Sequence, residues 1–173
     1  MKKEIFIAGG CFWGVEAYFS RVLGIEKAES FYINGGFEGV TYKEVCTTTK
    51  HAEAVKIIYE DSQISEEIIW NLYLNIVDPY SLNKQGNDIG TQYRVGIYSN
   101  DEELLDKYKK LNSQFVKKEN KNNFLEFLPV YDQTKAEEYH QKYLEKNPLG
   151  YCHINLYSIP KELLKEEYKK NIN

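Results

Sequence analysis

The stretch EIFIAGGCFWGVEAYFSRVLG, residues 4–24, commits the chain to a particular opening. Glu4 to Ala8 is a short apolar run that reads as a buried strand. Gly9-Gly10 ends it in a turn. Val15, Tyr18, Phe19, Val22 and Leu23 then recur at helical spacing, with Gly24 placed as a C-cap. A strand feeding a helix through two glycines implies helices layered on a sheet. It also sets Cys11 at a helix start, where first-turn N–H groups lack partners and the dipole is positive. Both features favour a thiolate. Two readings of Cys11 follow: a reactive thiol with a lowered pKa, or a small inert residue in a tight turn. Phe12 and Trp13 beside it suit an apolar slot for a small ligand.

The rest of the chain continues the alternation. KAESFYING, 27–35, predicts a strand closing in an Asn34-Gly35-Gly36 turn, and EAVKIIYE, 53–60, a third strand. Ser65 caps a helix with Glu66 and Glu67 in its first turn and an apolar stripe through Ile68, Ile69, Leu72 and Ile76. Residues 78–93, DPYSLNKQGNDIGTQY, form a long irregular loop of the kind that carries function inside a compact domain. RVGIYS, 94–99, is a strand, 100–115 an amphipathic helix, and FLEFLPV, 124–130, a strand stopped near Pro129. TKAEEYHQKYLEKN, 134–147, reads as helix until Asn147-Pro148; 150–158 reads as irregular or extended, and 160–170 as a charged helix. Interleaved strands and helices without linker or repeat predict one α+β domain over 1–173. It is a two-layer sandwich with helices packed on a mixed, mostly antiparallel sheet, and 147–173 is a loop-rich C-terminal segment.

Charge and cysteine usage narrow the function. A net charge of −4 and a pI near 5.5 argue against a nucleic-acid binder led by phosphate contacts. No stretch approaches the ~20 apolar residues of a membrane span. MKK before IFIAGGC is a faint signal-peptide pattern, but Glu4 interrupts it and the run is too short, so a cytoplasmic start is expected. Cys11, Cys46 and Cys152 are odd in number, widely spaced and without a CxxC, which excludes a disulfide framework, a zinc ribbon and a thioredoxin-type motif. Fifteen tyrosines against eight phenylalanines suit an aromatic but polar cavity. His51, His140 and His153 match no metal-ligand spacing.

GCFWG at 10–14 resembles the signature of the A-type peptide methionine sulfoxide reductases. TYKEVC at 41–46, HAEAV at 51–55, DPYSLNKQGNDIGTQYR at 78–94 and HQKYLEKNPLGYCHI at 140–154 resemble further blocks of that family, in the same order. The resemblance spans about residues 5–157. It implies a ferredoxin-like core and thiol-dependent reduction of methionine-S-sulfoxide, free and in proteins, with repair of oxidative damage as the role.

By the same resemblance Cys11 is the nucleophile, Glu53 the acid that protonates the sulfoxide oxygen, and Tyr42 and Tyr93 the hydroxyls that bind it. Phe12 and Trp13 hold the substrate methyl group, and Asp88 orients the polar set. Cys152 is the resolving cysteine, condensing with a Cys11 sulfenic acid to a disulfide that thioredoxin reduces. No cysteine follows Cys152, which implies a two-cysteine cycle. A mobile 147–154 segment suits a thiol that must swing inward. Cys46 lies outside the cycle and reads as structural; His140 and Gln141 read as supporting the site from a helix face. No cofactor or metal is expected; thioredoxin is the external reductant, and the enzyme is expected to be a monomer. Burial among tyrosines would raise the Glu53 pKa, as a general acid needs. Lys50, where many relatives have Gly, and Gly39-Val40, where many have Asn-Pro, are departures that bear on loop geometry near Tyr42 and Glu53. Two rival classes remain open on the residues themselves: a thiol peroxidase, and a peptide-binding module that would survive loss of Cys11.

Overall fold

A computed structural model describes residues 1–169. Strand β1 (Lys2–Gly9) leads into α1 (Phe12–Ser20), then β2 (Ile25–Ile33), α2 (Tyr42–Thr47), β3 (Ala52–Glu60) and α3 (Glu66–Ile76). The 78–93 stretch carries a small hairpin, β4 (Lys84–Gln85) and β5 (Asp88–Ile89). After it come β6 (Val95–Tyr98), α4 (Glu102–Glu119), β7 (Glu126–Leu128) and β8 (Gln133–Lys135). Two short helices, α5 (Tyr143–Lys146) and α6 (Glu166–Lys169), follow.

The main sheet has the order β7-β6-β1-β3-β2-β8. Every pairing is antiparallel except β6 with β7. Its centre, β6-β1-β3-β2 with α1 and α3 as crossovers, is the split βαβ arrangement of a ferredoxin-like core. The expected α+β class, mixed mostly antiparallel sheet and helical layer are all present.

Strand periodicity sorts the core onto two faces. Ile5, Ile7, Val55, Ile57, Tyr59 and Ile97 pack with Val15, Tyr18 and Phe19 of α1 and Ile69, Leu72 and Tyr73 of α3. Phe6, Ala8, Phe31, Ile33, Ala52, Ala54 and Tyr98 line the opposite face with Val130. Because β1 is covered on both sides, its second half is buried without alternation. Local signals place the caps: Ser65 accepts from Ile68 N at 3.2 Å and Asp101 from Leu104 N at 3.1 Å.

Three expectations give way to tertiary pairing. The first helix stops at Ser20, although Val22 and Leu23 continue its stripe. Arg21, Val22 and Leu23 are drawn instead against the C-terminal segment: Leu23 N donates to Leu163 O at 2.8 Å and Lys165 N to Arg21 O at 2.9 Å. The predicted 134–147 helix is replaced by β8, a 3₁₀ turn at Glu138–His140 and α5. Gln133–Lys135 pairs with the open edge of β2, and Lys142 adopts a left-handed φ of 53° that breaks any continuous helix. The predicted helix over 160–170 becomes a 3₁₀ turn at Lys161–Leu163 and the one-turn α6. Residues 170–173, the end of that helix and of the 147–173 segment, lie outside the described residues.

Candidate active site

Cys11 stands at the N-cap of α1, with 8% of its surface exposed. The left-handed Gly10, φ 89°, makes the turn, and a Cβ there would lie 2.8 Å from Gln85 and 3.1 Å from His153. Gln85 in turn clamps the 78–85 loop, accepting from Asp78 N at 2.9 Å and donating to Asp78 O at 2.8 Å.

Glu53 enters from the second position of β3. Its Oε1 accepts from Phe12 N at 3.2 Å, so the carboxyl group occupies the first turn of the helix that Cys11 caps. It is 1% exposed, and its Oε2 has no hydrogen-bond partner. Burial pushes its pKa up to about 8, against the Phe12 N–H bond, and the Asp88 charge adds to the rise. Glu53 is therefore a protonated carboxylic acid at neutral pH, with a free oxygen directed to no other group.

The Cys11 thiol departs from expectation. Burial and the Glu53 charge raise it well above the ordinary range, and the Trp13 N–H, the helix-end donor, only partly opposes them. The predicted helix-end lowering is real in direction but outweighed, because the thiol is nearly closed off from water. The two groups are linked: a protonated Glu53 removes the repulsion that a Cys11 thiolate would meet.

The tyrosines and Asp88 surround this pair. Tyr42 is the first residue of α2, and Tyr93 ends the 3₁₀ turn Thr91–Tyr93. Both are half-buried, and burial is the main cause that raises both hydroxyls; a hydrogen bond with Cys46 comes next at Tyr42, and the Glu53 charge adds to the rise of each. They remain neutral donors throughout the ordinary pH range. Asp88, on β5, accepts from the Tyr151 hydroxyl at 3.1 Å, beside Cys152.

Phe12 is 1% exposed and packs on Tyr32 and His140 at ring distances of 5.6 and 5.2 Å. Trp13 is partly exposed, stacks on Tyr143 at 3.7 Å, and donates its indole N–H to His140 Nδ1 at 2.9 Å. His140 thus supports the site as expected, though from a 3₁₀ turn rather than a helix face. His51 is fully buried and held by Thr49 and the Phe37 carbonyl. Cys46 is exposed on α2, not packed as a structural cysteine would be. Among the described residues no group of three His, Cys, Asp or Glu side chains converges as a metal site requires.

Cys152 lies along α1. A Cβ on Gly14 would come within 3.2 Å of its Sγ, and the thiol donates to Ile154 O at 3.2 Å. The segment that carries it was expected to be mobile; in the structure Tyr151 and His153 tie it on both sides of the cysteine.

Several supporting residues gave no sequence signal. Glu137 accepts from the Tyr32 hydroxyl at 2.7 Å and from Tyr42 N at 3.0 Å, fixing where α2 begins and hence where Tyr42 stands. Glu16, 2% exposed, accepts from Lys142 N at 2.8 and 3.1 Å and from Ser30 Oγ at 3.0 Å. That anchors the segment whose Tyr143 stacks on Trp13. Arg94 donates to the carbonyls of Lys50, Thr91 and Asn34, joining three loops around Tyr93 and the head of β3. At Lys50 only this carbonyl is used, so the departure there leaves the anchoring contact intact. Each residue sits in an ordinary polar context, so only tertiary contact distinguishes it.

Residues 3–172 match the family model described as peptide methionine sulfoxide reductase. The chain is 61% identical over 166 residues to a protein named "Peptide methionine sulfoxide reductase MsrA" from Mycoplasmopsis pulmonis, covering 96% of this chain and 100% of that one. It is similar to the crystal structure of reduced Mxr1 from Saccharomyces cerevisiae, with TM-score 0.80, 32% identity and coverage of 89% and 91%. Methionine sulfoxide reductase A of Corynebacterium diphtheriae gives TM-score 0.82 at 32% identity, covering 87% of this chain and 77% of that one. A structure of Mxr1 in complex with Trx2 shares the fold, at 20% identity and TM-score 0.56.

Proposed function

The chain belongs to the peptide methionine sulfoxide reductase family, and from that premise we propose how its residues divide the reaction. It is a peptide-methionine (S)-S-oxide reductase, returning methionine-S-sulfoxide to methionine. The substrate methyl group rests on Phe12 and Trp13, with Asp88 orienting the polar groups, while the Tyr42 and Tyr93 hydroxyls hold the sulfoxide oxygen. The Cys11 thiolate attacks sulfur as Glu53 gives its proton to that oxygen. The substrate sulfur–oxygen bond breaks, the oxygen passes with its proton to the Cys11 sulfur, and methionine leaves, so Cys11 becomes a sulfenic acid. Once Cys11 has lost its proton, the negative charge passes from thiolate to carboxylate, so the step itself leaves the charge of the buried site unchanged.

The observation that carries this reading is Glu53: a buried carboxylic acid with one oxygen on the N–H of Phe12 and the other unpartnered, at the helix start that presents the thiol. A binding module has no use for a proton donor held there, and a peroxidase has no use for Phe12 and Trp13 as a slot for a methyl group. Cys152 then condenses with the sulfenic acid and releases water, and thioredoxin reduces the disulfide by exchange; the complex of yeast Mxr1 with Trx2 supports this choice of reductant.

We take the chain to act as one catalytic domain and as a monomer, on free methionine sulfoxide and on oxidised proteins, without a bound cofactor and independently of nucleic acid or membrane. Among the described residues no helix is long and apolar enough to cross a membrane. Three free, widely spaced cysteines suit a reducing compartment, the cytoplasm. The deciding experiment incubates the reduced protein with each epimer of methionine sulfoxide and counts methionine formed and thiols lost. Turnover of the S epimer with loss of two thiols is expected; turnover of the R epimer, or peroxide reduction at a higher rate, would overturn the reading.

A further inference from the structure

His153 lies next to Cys152 and outside the set of groups assigned above. Its Nε2 is 3.0 Å from the carbonyl oxygen of Gly9, two residues before Cys11. A carbonyl only accepts, so Nε2 carries the proton and donates. The ring is partly buried and burial lowers its pKa, so it is neutral, with a bare Nδ1 that has no partner. The ring also fills the space left by Gly10: a Cβ there would stand 3.1 Å from Nε2. One residue back, the Cys152 sulfur lies over Gly14; one residue on, Ile154 is buried against the same glycine, 3.1 Å from where its Cβ would be. Residues 147–155 form no helix or strand, so these contacts, with Tyr151 on Asp88, hold the segment beside Cys11.

We propose that His153 is a positioning residue: its hydrogen bond to Gly9 docks the Cys152 thiol on the first turn of α1 so that it captures the Cys11 sulfenic acid as soon as that acid forms. The proposal rests on the reading of Cys152 as the resolving cysteine. The step it serves is balanced: Cys11–S–OH and HS–Cys152 give the Cys11–Cys152 disulfide and water, with no further oxidant. The Cys152–Ile154 hydrogen bond breaks as the thiol turns toward Cys11. Speed matters because a sulfenic acid left waiting is open to further, irreversible oxidation.

The test is a single turnover of reduced protein with methionine-S-sulfoxide and no added reductant, following methionine, free thiols and sulfenic acid captured by a carbon-nucleophile probe. In His153→Ala, methionine should form at the wild-type rate, while thiol loss slows about 10- to 100-fold and trapped sulfenic acid rises, as expected for a misplaced reactant. His153→Gln, whose amide N–H can reach the Gly9 carbonyl, should restore thiol loss. Gly14→Ala provides an independent arm, since its methyl group would press on the Cys152 sulfur, and should slow thiol loss in the same way even if His153→Ala fails to fold. Wild-type thiol loss in His153→Ala, or in Gly14→Ala where that is the variant that folds, overturns the proposal. So does an equal slowing of methionine formation by His153→Ala, which would place the effect on Cys11. Cys152→Ser, run alongside, should make one methionine and lose no second thiol; loss of a second thiol there would remove Cys152 itself as the resolving group.

Discussion

Glu53 and Cys11 occupy one water-poor space, and each decides what the other can do. Glu53 keeps its proton up to about pH 8 because burial penalises its ionised form. The reaction needs the acid form of Glu53 together with the thiolate of Cys11, whose pKa lies above it, so the rate of methionine formation in a single turnover should rise with pH to about 8 and level off above it. Glu53→Gln keeps the size and the contact to Phe12 N but has no proton to give. It should slow this step by about 10²–10⁴-fold and lose the levelling near pH 8; a wild-type rate at every pH would exclude the role. Cys11→Ser should form no methionine above background while keeping the wild-type melting temperature, as a hydroxyl fits the same N-cap position. Tyr42→Phe and Tyr93→Phe should each cost less singly than together, read as single-turnover rates, because either hydroxyl can hold the oxygen in part.

At the scale of elements, the stretch from β8 to α5 shows how a site wall is built without a helix. Gln141 is 7% exposed, and its amide donates to Ser30 O at 2.9 Å and to Ala136 O at 3.0 Å while accepting from Ser30 N at 2.9 Å. One side chain thus takes the place of a strand neighbour, extending the β2 edge beyond its pairing with β8. Gln141→Ala would orphan two buried backbone groups, Ser30 N and Ala136 O, while Ser30 O keeps its bond from Ala136 N. The expected cost is about 2–4 kcal/mol of unfolding free energy, read as a lower urea midpoint. His140 and Tyr143 flank it and support Trp13, so KM for methionine sulfoxide should rise as well. An unchanged midpoint would show that water replaces the amide at no cost. The apolar and polar residues of 134–147 do follow a helical period. What defeats that period is an unpaired strand edge nearby, whose backbone groups must be satisfied.

For the whole molecule, two buried carboxyls on neighbouring elements give stability a definite pH dependence. Glu16 is raised to about 7 and Glu53 to about 8, burial being the main cause in both. The folded state holds these protons after the unfolded chain has released them. Their contribution is therefore complete below the unfolded value of 4.5 and is lost as pH rises through about 7 and about 8. The urea midpoint should decline over that interval. Glu16→Gln combined with Glu53→Gln should flatten the decline, and a decline of unchanged slope in the double variant would exclude these groups as its source. The C-terminal segment matters on the same scale: Ile159 and Leu164 are buried in the main core, and Leu164 bridges to Val22. Removing residues after Ser158 should lower the melting temperature, as it uncovers that side of α1.

The sequence by itself determined the elements with strong local signals and the identity of the chemistry. The strand–glycine–helix opening, the Ser65 cap, the β3 alternation and the long α4 are set by periodicity and capping within a few residues, and all are found in place. Cys11 was singled out by its place at a helix start, and Glu53, Tyr42, Tyr93, Asp88, Phe12, Trp13 and Cys152 by motifs that resemble those of the family; the fold gathers them near the start of α1. Tertiary structure alone decided what each group experiences. No local pattern marks Glu137, Glu16 or Arg94, whose partners lie 95, 126 and 60 residues away in the chain. Nor could it show that the helix-end effect on Cys11 is overcome: that depends on the solvent excluded by segments from across the chain. Hydrogen-bonding capacity and periodicity are properties of neighbours in sequence, whereas burial, and the pKa values it sets, belong to the packed molecule.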